Sequence, residues 1–119
     1  MAAMQELAEG SWQTLDHDQE QLAWEALTGW VDWLRDRYDL AETVPDCWQL
    51  HGAHVEELTA LRLAWIASYA VRGATLTDPA NWHDRLAATL HRLKQWNRTG
   101  CTVGRHVPDA IDLSDLNGV

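Results

Sequence analysis

The sequence predicts an all-α fold, a three-helix bundle with a flexible acidic N-terminus and an irregular C-terminal tail. Three observations carry that prediction. Apolar residues recur at spacings of three and four over three stretches, no stretch sustains the alternation of a strand, and capping or breaking residues bound the helical stretches. Residues 1–15 read as a flexible segment, 16–100 as the helical domain and 101–119 as the tail. At 119 residues the chain makes one domain, long enough to bury a core without covalent staples.

The first fifteen residues are acidic, rich in small side chains and broken by Gly10 and Ser11, which predicts fraying. Asp16, with Gln19 three positions on, forms a capping-box signal. Ala23, Leu27, Trp30, Leu34 and Tyr38 then mark a helix that ends near Asp39, before Pro45. Trp24, Val31 and Trp33 widen its apolar face, as suits a helix with more than one packing partner, including a second copy of the chain. The second helix is expected from Gly52 to Arg72, with Leu58, Leu61, Trp65 and Tyr69 inward and Gly73 as its stop. Asp78 and Pro79 announce the third, as cap and first helical residue, ahead of Trp82, Leu86, Leu90, Leu93 and Trp96. Helical periodicity is lost after Gly100.

The formal charge is −9, concentrated at the two ends: residues 1–20 carry five acids and no Lys or Arg, whereas residues 21–100 are nearly balanced. Such a distribution argues against direct nucleic-acid binding through phosphate contacts. Arg85, Arg92, Lys94 and Arg98 make the third helix locally basic, but 85 and 92 share a face that 94 does not, so they read as a solvated or docking surface. No apolar run reaches the roughly 18 residues of a membrane helix, and the N-terminus lacks the basic and apolar blocks of a secretory signal, so a cytoplasmic location is expected. In that compartment two cysteines point to reduced thiols or a metal site ahead of a disulfide.

Eight tryptophans and no phenylalanine set the core. A buried indole removes about 150–250 Å² from water, so Trp30, Trp48, Trp65, Trp82 and Trp96 are assigned to the interior. Trp12, Trp24 and Trp33 fall off the main stripes. Trp24 and Trp33 are the candidates for a partner surface.

Chemistry concentrates at Pro45-Asp46-Cys47-Trp48-Gln49-Leu50-His51-Gly52-Ala53-His54, just ahead of the second helix. Cys47 with His51, and Cys101 with His106, supply two short-spaced pairs of zinc-type ligands, with His54 as an alternate. Such a site would tie the tail to the start of the second helix. The spacing matches no standard zinc finger, and the competing reading is a small buried cysteine beside a capping histidine. Catalysis is not expected: Glu56 and Glu57 point apart on a helix, Ser68 and Thr89 have no base at useful spacing, and no Gly-rich loop follows a strand. In the tail, Asp109, Ile111, Asp112, Leu113 and Leu116 alternate acids with apolar residues, as short recognition peptides do.

Cys47-Trp48, His51, the run Val55-Glu56-Glu57-Leu58-Thr59-Ala60-Leu61, Trp65 and Trp82-His83 together resemble a set of small uncharacterised actinobacterial proteins encoded on plasmids, conjugative elements and phages. These form a domain family of unknown function, and the resemblance spans about Trp30 to Cys101. Where those relatives often carry Pro after the histidine, this chain has Gly52. The resemblance implies no activity. It implies the company of a mobile genetic element. The expected function is accordingly a non-enzymatic accessory protein working by contact with a basic or apolar protein partner. The alternatives are an acidic mimic of nucleic acid that inhibits a host nuclease or regulator, and a zinc-stabilised module contacting DNA through the third helix.

Overall fold

Asp16 opens the first helix as its capping signal predicts. Its carboxylate accepts the backbone N–H of Gln19 at 2.8 Å, and the Gln19 side chain accepts the backbone N–H of Asp16 at 2.9 Å. Both halves of a capping box are therefore closed. The computed structural model describes residues 12–69, 73–97, 101 and 106, and among them there are three α-helices: α1 (His17–Arg37), α2 (Gly52–Tyr69) and α3 (Asp78–Trp96). Short 3-10 helices cover Trp12–Thr14 and Trp48–Leu50. The all-α three-helix architecture agrees with the sequence reading. No described helix is long and apolar enough to cross a membrane.

Each boundary has a local cause. α1 closes with the Tyr38 N–H on the Leu34 carbonyl, and Asp39 follows at a φ of 55°, a left-handed conformation that ends the helix sharply. α2 is described to Tyr69, and the last three residues of its expected span, 70–72, lie outside the described residues; Gly73 takes a φ of 96°, which a side chain would strain. The start of α3 differs from expectation. Asp78 is the first helical residue, not the cap, Thr77 stands in the cap position without a side-chain capping bond, and Pro79 lies inside the first turn. The Asp78 carboxylate turns back instead, accepting the N–H and the hydroxyl of Thr75 at 2.8 Å each. Those two bonds hold its pKa below the ordinary carboxylate value.

α2 and α3 form the closely packed pair, and α1 stands further off. Ala60, Ala64 and Ala88 line an open groove between α2 and α3. The helices run antiparallel: the Trp82 indole N–H donates to the Leu61 carbonyl at 3.2 Å, and Arg92 donates to Glu57 at 2.8 Å. α1 joins through aromatic rings. Trp30 lies 6.1 Å from Trp65 and 6.4 Å from Trp82 between ring centroids, and Trp33 lies 5.5 Å from Trp65. Leu27, Val31, Leu34, Val44, Leu58 and Leu93 complete the buried core.

Three tryptophan assignments hold and two need correction. Trp30, Trp48 and Trp82 are buried. Trp65 is only half-buried, and Trp96 is 46% exposed. Trp96 sits one turn after Arg92 on the flank of α3, where its indole N–H donates to Glu57 at 3.1 Å, while Leu93 takes the inward position. Tyr69, expected to face inward, is exposed at the end of α2, with its ring 5.6 Å from Trp65. Part of the segment read as flexible is docked: the Trp12 indole donates to the Thr59 hydroxyl at 3.0 Å, and that hydroxyl donates onward to the Val55 carbonyl at 2.7 Å.

Two consequences can be measured. Trp82→Phe breaks a buried hydrogen bond, whereas the Trp30 indole nitrogen is buried with no partner among the described residues, so Trp30→Phe loses none. In urea unfolding, Trp82→Phe should be the more costly of the two by about 1 kcal/mol. The second concerns Glu57, which Arg92 first and Trp96 next hold below its ordinary pKa of 4.5 against the opposing effect of burial. A carboxylate with a depressed folded pKa stabilises fully above 4.5, and that contribution is lost as pH falls through the lowered value. Glu57→Gln should therefore flatten the acid limb of the stability profile while leaving the shape near neutrality unchanged.

Candidate metal centre

Trp48 is 2% exposed, and its burial anchors the single 3-10 turn that carries the first two candidate ligands. Within that turn the Leu50 N–H donates to the Cys47 carbonyl at 2.9 Å and the His51 N–H to the Trp48 carbonyl at 3.1 Å. Cys47 and His51 are thereby brought to the same side, with Sγ and Nε2 3.5 Å apart. Two tethers fasten the turn to α1. Arg35 donates through Nε to the Val44 carbonyl at 2.8 Å and pairs through Nη2 with Asp46 at 2.6 Å, and Gln49 donates to the Thr28 hydroxyl at 2.8 Å. The His51 carbonyl also accepts the Val55 N–H, so the same residue opens α2.

The second pair arrives from the far end of the fold. Asn97, the C-cap of α3, accepts the Cys101 N–H at 2.9 Å and donates to the Cys101 carbonyl at 3.0 Å. This reciprocal clamp sets Cys101 against the 3-10 turn: its sulfur lies 3.4 Å from His51 Nε2 and 3.8 Å from His106 Nδ1. Cys47, His51, Cys101 and His106 thus offer four donor atoms, all within 4.8 Å of one another. Cys101 and His51 are buried, Cys47 is half-buried and His106 is exposed.

The donor set can be tested against what a tetrahedral ion requires. With metal–sulfur bonds of about 2.3 Å and metal–nitrogen bonds of about 2.0–2.1 Å, tetrahedral angles set donor separations of about 3.3–3.8 Å. For a sulfur–nitrogen pair that geometry gives about 3.5 Å, and the observed distances of 3.5, 3.4 and 3.8 Å lie within about 0.3 Å of it. Two thiols and two imidazoles are also the donor types that zinc takes in closed structural sites, where protein fills all four positions. The residues fit such an ion.

The chemistry of the metal-free site sets how an ion would enter. Burial first, then the neighbouring Cys101 thiol, pushes the Cys47 thiol up to about 11. Near neutral pH the thiol is protonated, and a metal must displace that proton to bind sulfur. His54, the alternate ligand, is buried behind the site with its ring 5.7 Å from that of His51, and it is not one of the four clustered donors.

The other residues singled out from the sequence are placed elsewhere. Trp24 is half-buried, its ring 4.7 Å from Trp12 and 6.3 Å from Trp48, so it packs within the fold as a neighbour of the metal-site turn. Trp33 is 41% exposed. Asp109, Ile111, Asp112, Leu113 and Leu116 lie outside the described residues. In the groove between α2 and α3, Arg92 is already paired with Glu57, which removes it from any free basic surface. Sequence reasoning missed Asn97 and Arg35. An Asn just after a helical pattern and an Arg in the last turn of a helix are ordinary capping signals, and neither discloses the loop it will grip.

Scans against protein-family models, the curated proteins and the solved structures find no match to this chain.

Cobalt(II), which tolerates the same four donors and is coloured, should saturate at one ion per chain with a sulfur-to-metal charge-transfer band. Because binding displaces thiol protons, its apparent affinity should rise with pH. Asn97→Ala removes the clamp on Cys101 and should weaken binding by roughly 10-fold, the lower end of what outer-shell changes cost.

Proposed function

We propose that this chain is a zinc-clasped, non-catalytic three-helix module that works by protein–protein contact. One observation carries the reading: segments fifty residues apart in sequence bring two thiols and two imidazoles within 4.8 Å of one another. A four-ligand protein set leaves no coordination position for substrate, which favours a structural over a catalytic ion. Such an ion closes the end of α3 onto the start of α2. Its binding energy then becomes folding energy, about 4 kcal/mol at a thousandfold excess of free metal over its dissociation constant.

The working surface in this reading is the solvent face of α1. Asp18, Glu25, Asp32 and Asp36 are all exposed, and their spacings of seven, seven and four residues align them along one side of the helix. Leu22, 58% exposed, and Trp33 border that row. An acidic row edged by apolar side chains suits a basic partner with apolar contacts, and the mobile-element setting implied by the family resemblance belongs to the same proposal. The row also supports the second reading, a mimic of nucleic-acid charge that occupies a nuclease or regulator.

Zinc measured on protein purified under reducing conditions without added metal should stand at one equivalent, and a chelator should lower the thermal midpoint. Absence of zinc with both thiols reduced would sink the clasp. For the surface, Asp32→Lys combined with Trp33→Ala should abolish capture of the partner from the native host while leaving the helical circular-dichroism spectrum intact. Unchanged capture places the contact elsewhere. Salt separates the two readings: charge mimicry requires affinity that falls steeply with ionic strength, and an apolar accessory contact does not.

A further inference from the structure

We infer that the clasp is redox-exchangeable: a peroxide converts the Cys47–Cys101 thiolate pair into a disulfide and expels the zinc. The inference rests on the zinc reading above and names the regulation of that same site. Its grounds are geometric. The two sulfurs fall within the 4.8 Å cluster, and both are neighbours of one atom, His51 Nε2, at 3.5 and 3.4 Å. A disulfide sets the sulfurs at about 2.0 Å, so the two side chains must move toward each other from within the 4.8 Å cluster. The chain holds two cysteines and both are in this site, so one intramolecular pairing is available and none competes with it.

Unequal exposure orders the chemistry. Cys47 is half-buried and within reach of a small solute, whereas Cys101 is 3% exposed. The Cys47 thiolate attacks one peroxide oxygen, forming an S–O bond and breaking the O–O bond. Sulfur is oxidised to the sulfenic acid, and the departing hydroxide takes a proton and leaves as water. The Cys101 thiolate then attacks the Cys47 sulfur, forming the S–S bond, and the second hydroxide leaves and is protonated to water. In sum, two thiolates, one hydrogen peroxide and two protons give one disulfide and two waters, a two-electron oxidation. Zinc loses both anionic ligands, and His51 and His106 alone do not retain it.

The exchange does not undo the link between the start of α2 and the end of α3. It replaces a metal bridge with a covalent one between the same segments and frees His106, the exposed ligand, from coordination. A chelator should therefore destabilise the reduced protein and leave the oxidised protein unaffected.

The test uses the full chain loaded with one equivalent of zinc and treated with a few-fold excess of hydrogen peroxide. A chromophoric zinc indicator follows the metal, and intact and peptide mass spectrometry under non-reducing conditions follows the sulfurs. One zinc should be released per chain as the mass falls by two hydrogens, Cys47 and Cys101 should appear in one cross-linked peptide pair, and dithiothreitol should restore zinc binding. In Cys101→Ser, oxidation should stop at a sulfenic acid on Cys47, captured by a dimedone probe, with no cross-link. Zinc retained after peroxide, or released with both sulfurs driven to sulfinic acid and no cross-link, overturns the exchange and leaves the structural zinc reading standing. Reduced protein that takes up no zinc at the outset overturns both.

Discussion

Two helices in close contact lie about 8–10 Å apart, and an indole ring placed between them occupies much of that distance. This constraint explains the unequal spacing of the bundle. α2 and α3 pack closely, with Trp82 bonded to the Leu61 carbonyl and Arg92 to Glu57 across the pair, whereas α1 is held at a distance by Trp30, Trp33 and Trp65. A helix held off in this way needs additional ties. The connection from α1 to α2 supplies them in Arg35, Val44, Asp46 and the Gln49–Thr28 bond, and that same connection carries Cys47 and His51. Aromatic packing and the donor cluster are therefore one problem solved in one place: Trp48 is buried against the helices, and the residues before and after its turn are turned toward Cys101.

The donor cluster also fits the size of the domain. A chain of this length gains its stability from a single small core, and along α3 burial falls from Leu93 to the exposed Trp96. The donors at residues 47 and 51 meet those at residues 101 and 106 beside the start of α2 and beyond the end of α3, the two open ends of the hairpin. Asn97 prepares that meeting without a metal, since its two bonds to Cys101 hold the backbone in place beforehand. Preorganisation of this kind lowers the ordering cost that an ion would otherwise have to offset.

Much of this was legible in the chain itself, for reasons specific to each element. Asp16 with Gln19 predicts its own capping box because all the interacting atoms lie within four residues. Gly73 signals a turn by its residue type because only glycine takes a φ of 96° without strain. The four candidate ligands were identifiable from residue type and short spacing alone. Misplacements occurred where the deciding neighbour is distant in sequence. Trp96 continues the stripe of α3 by count, but Glu57 draws it to the flank, and Trp24 looks surplus to a three-helix interior until the rings of Trp12 and Trp48 are seen beside it, which leaves it half-buried.

Helical periodicity, caps and stops are properties of a few adjacent residues, so the chain settles its three helices, their approximate limits and its all-α class before any packing occurs. Spacing likewise pairs Cys47 with His51 and Cys101 with His106. Whether the two pairs meet is a different kind of question, because its answer depends on the antiparallel register of α2 and α3, on the buried indole of Trp48 and on the grip of Asn97. The contacts that set the register span 21 and 35 residues and leave no periodic trace. The convergence of four donor atoms within 4.8 Å is therefore a result of the folded arrangement, even though each donor could be named from the sequence.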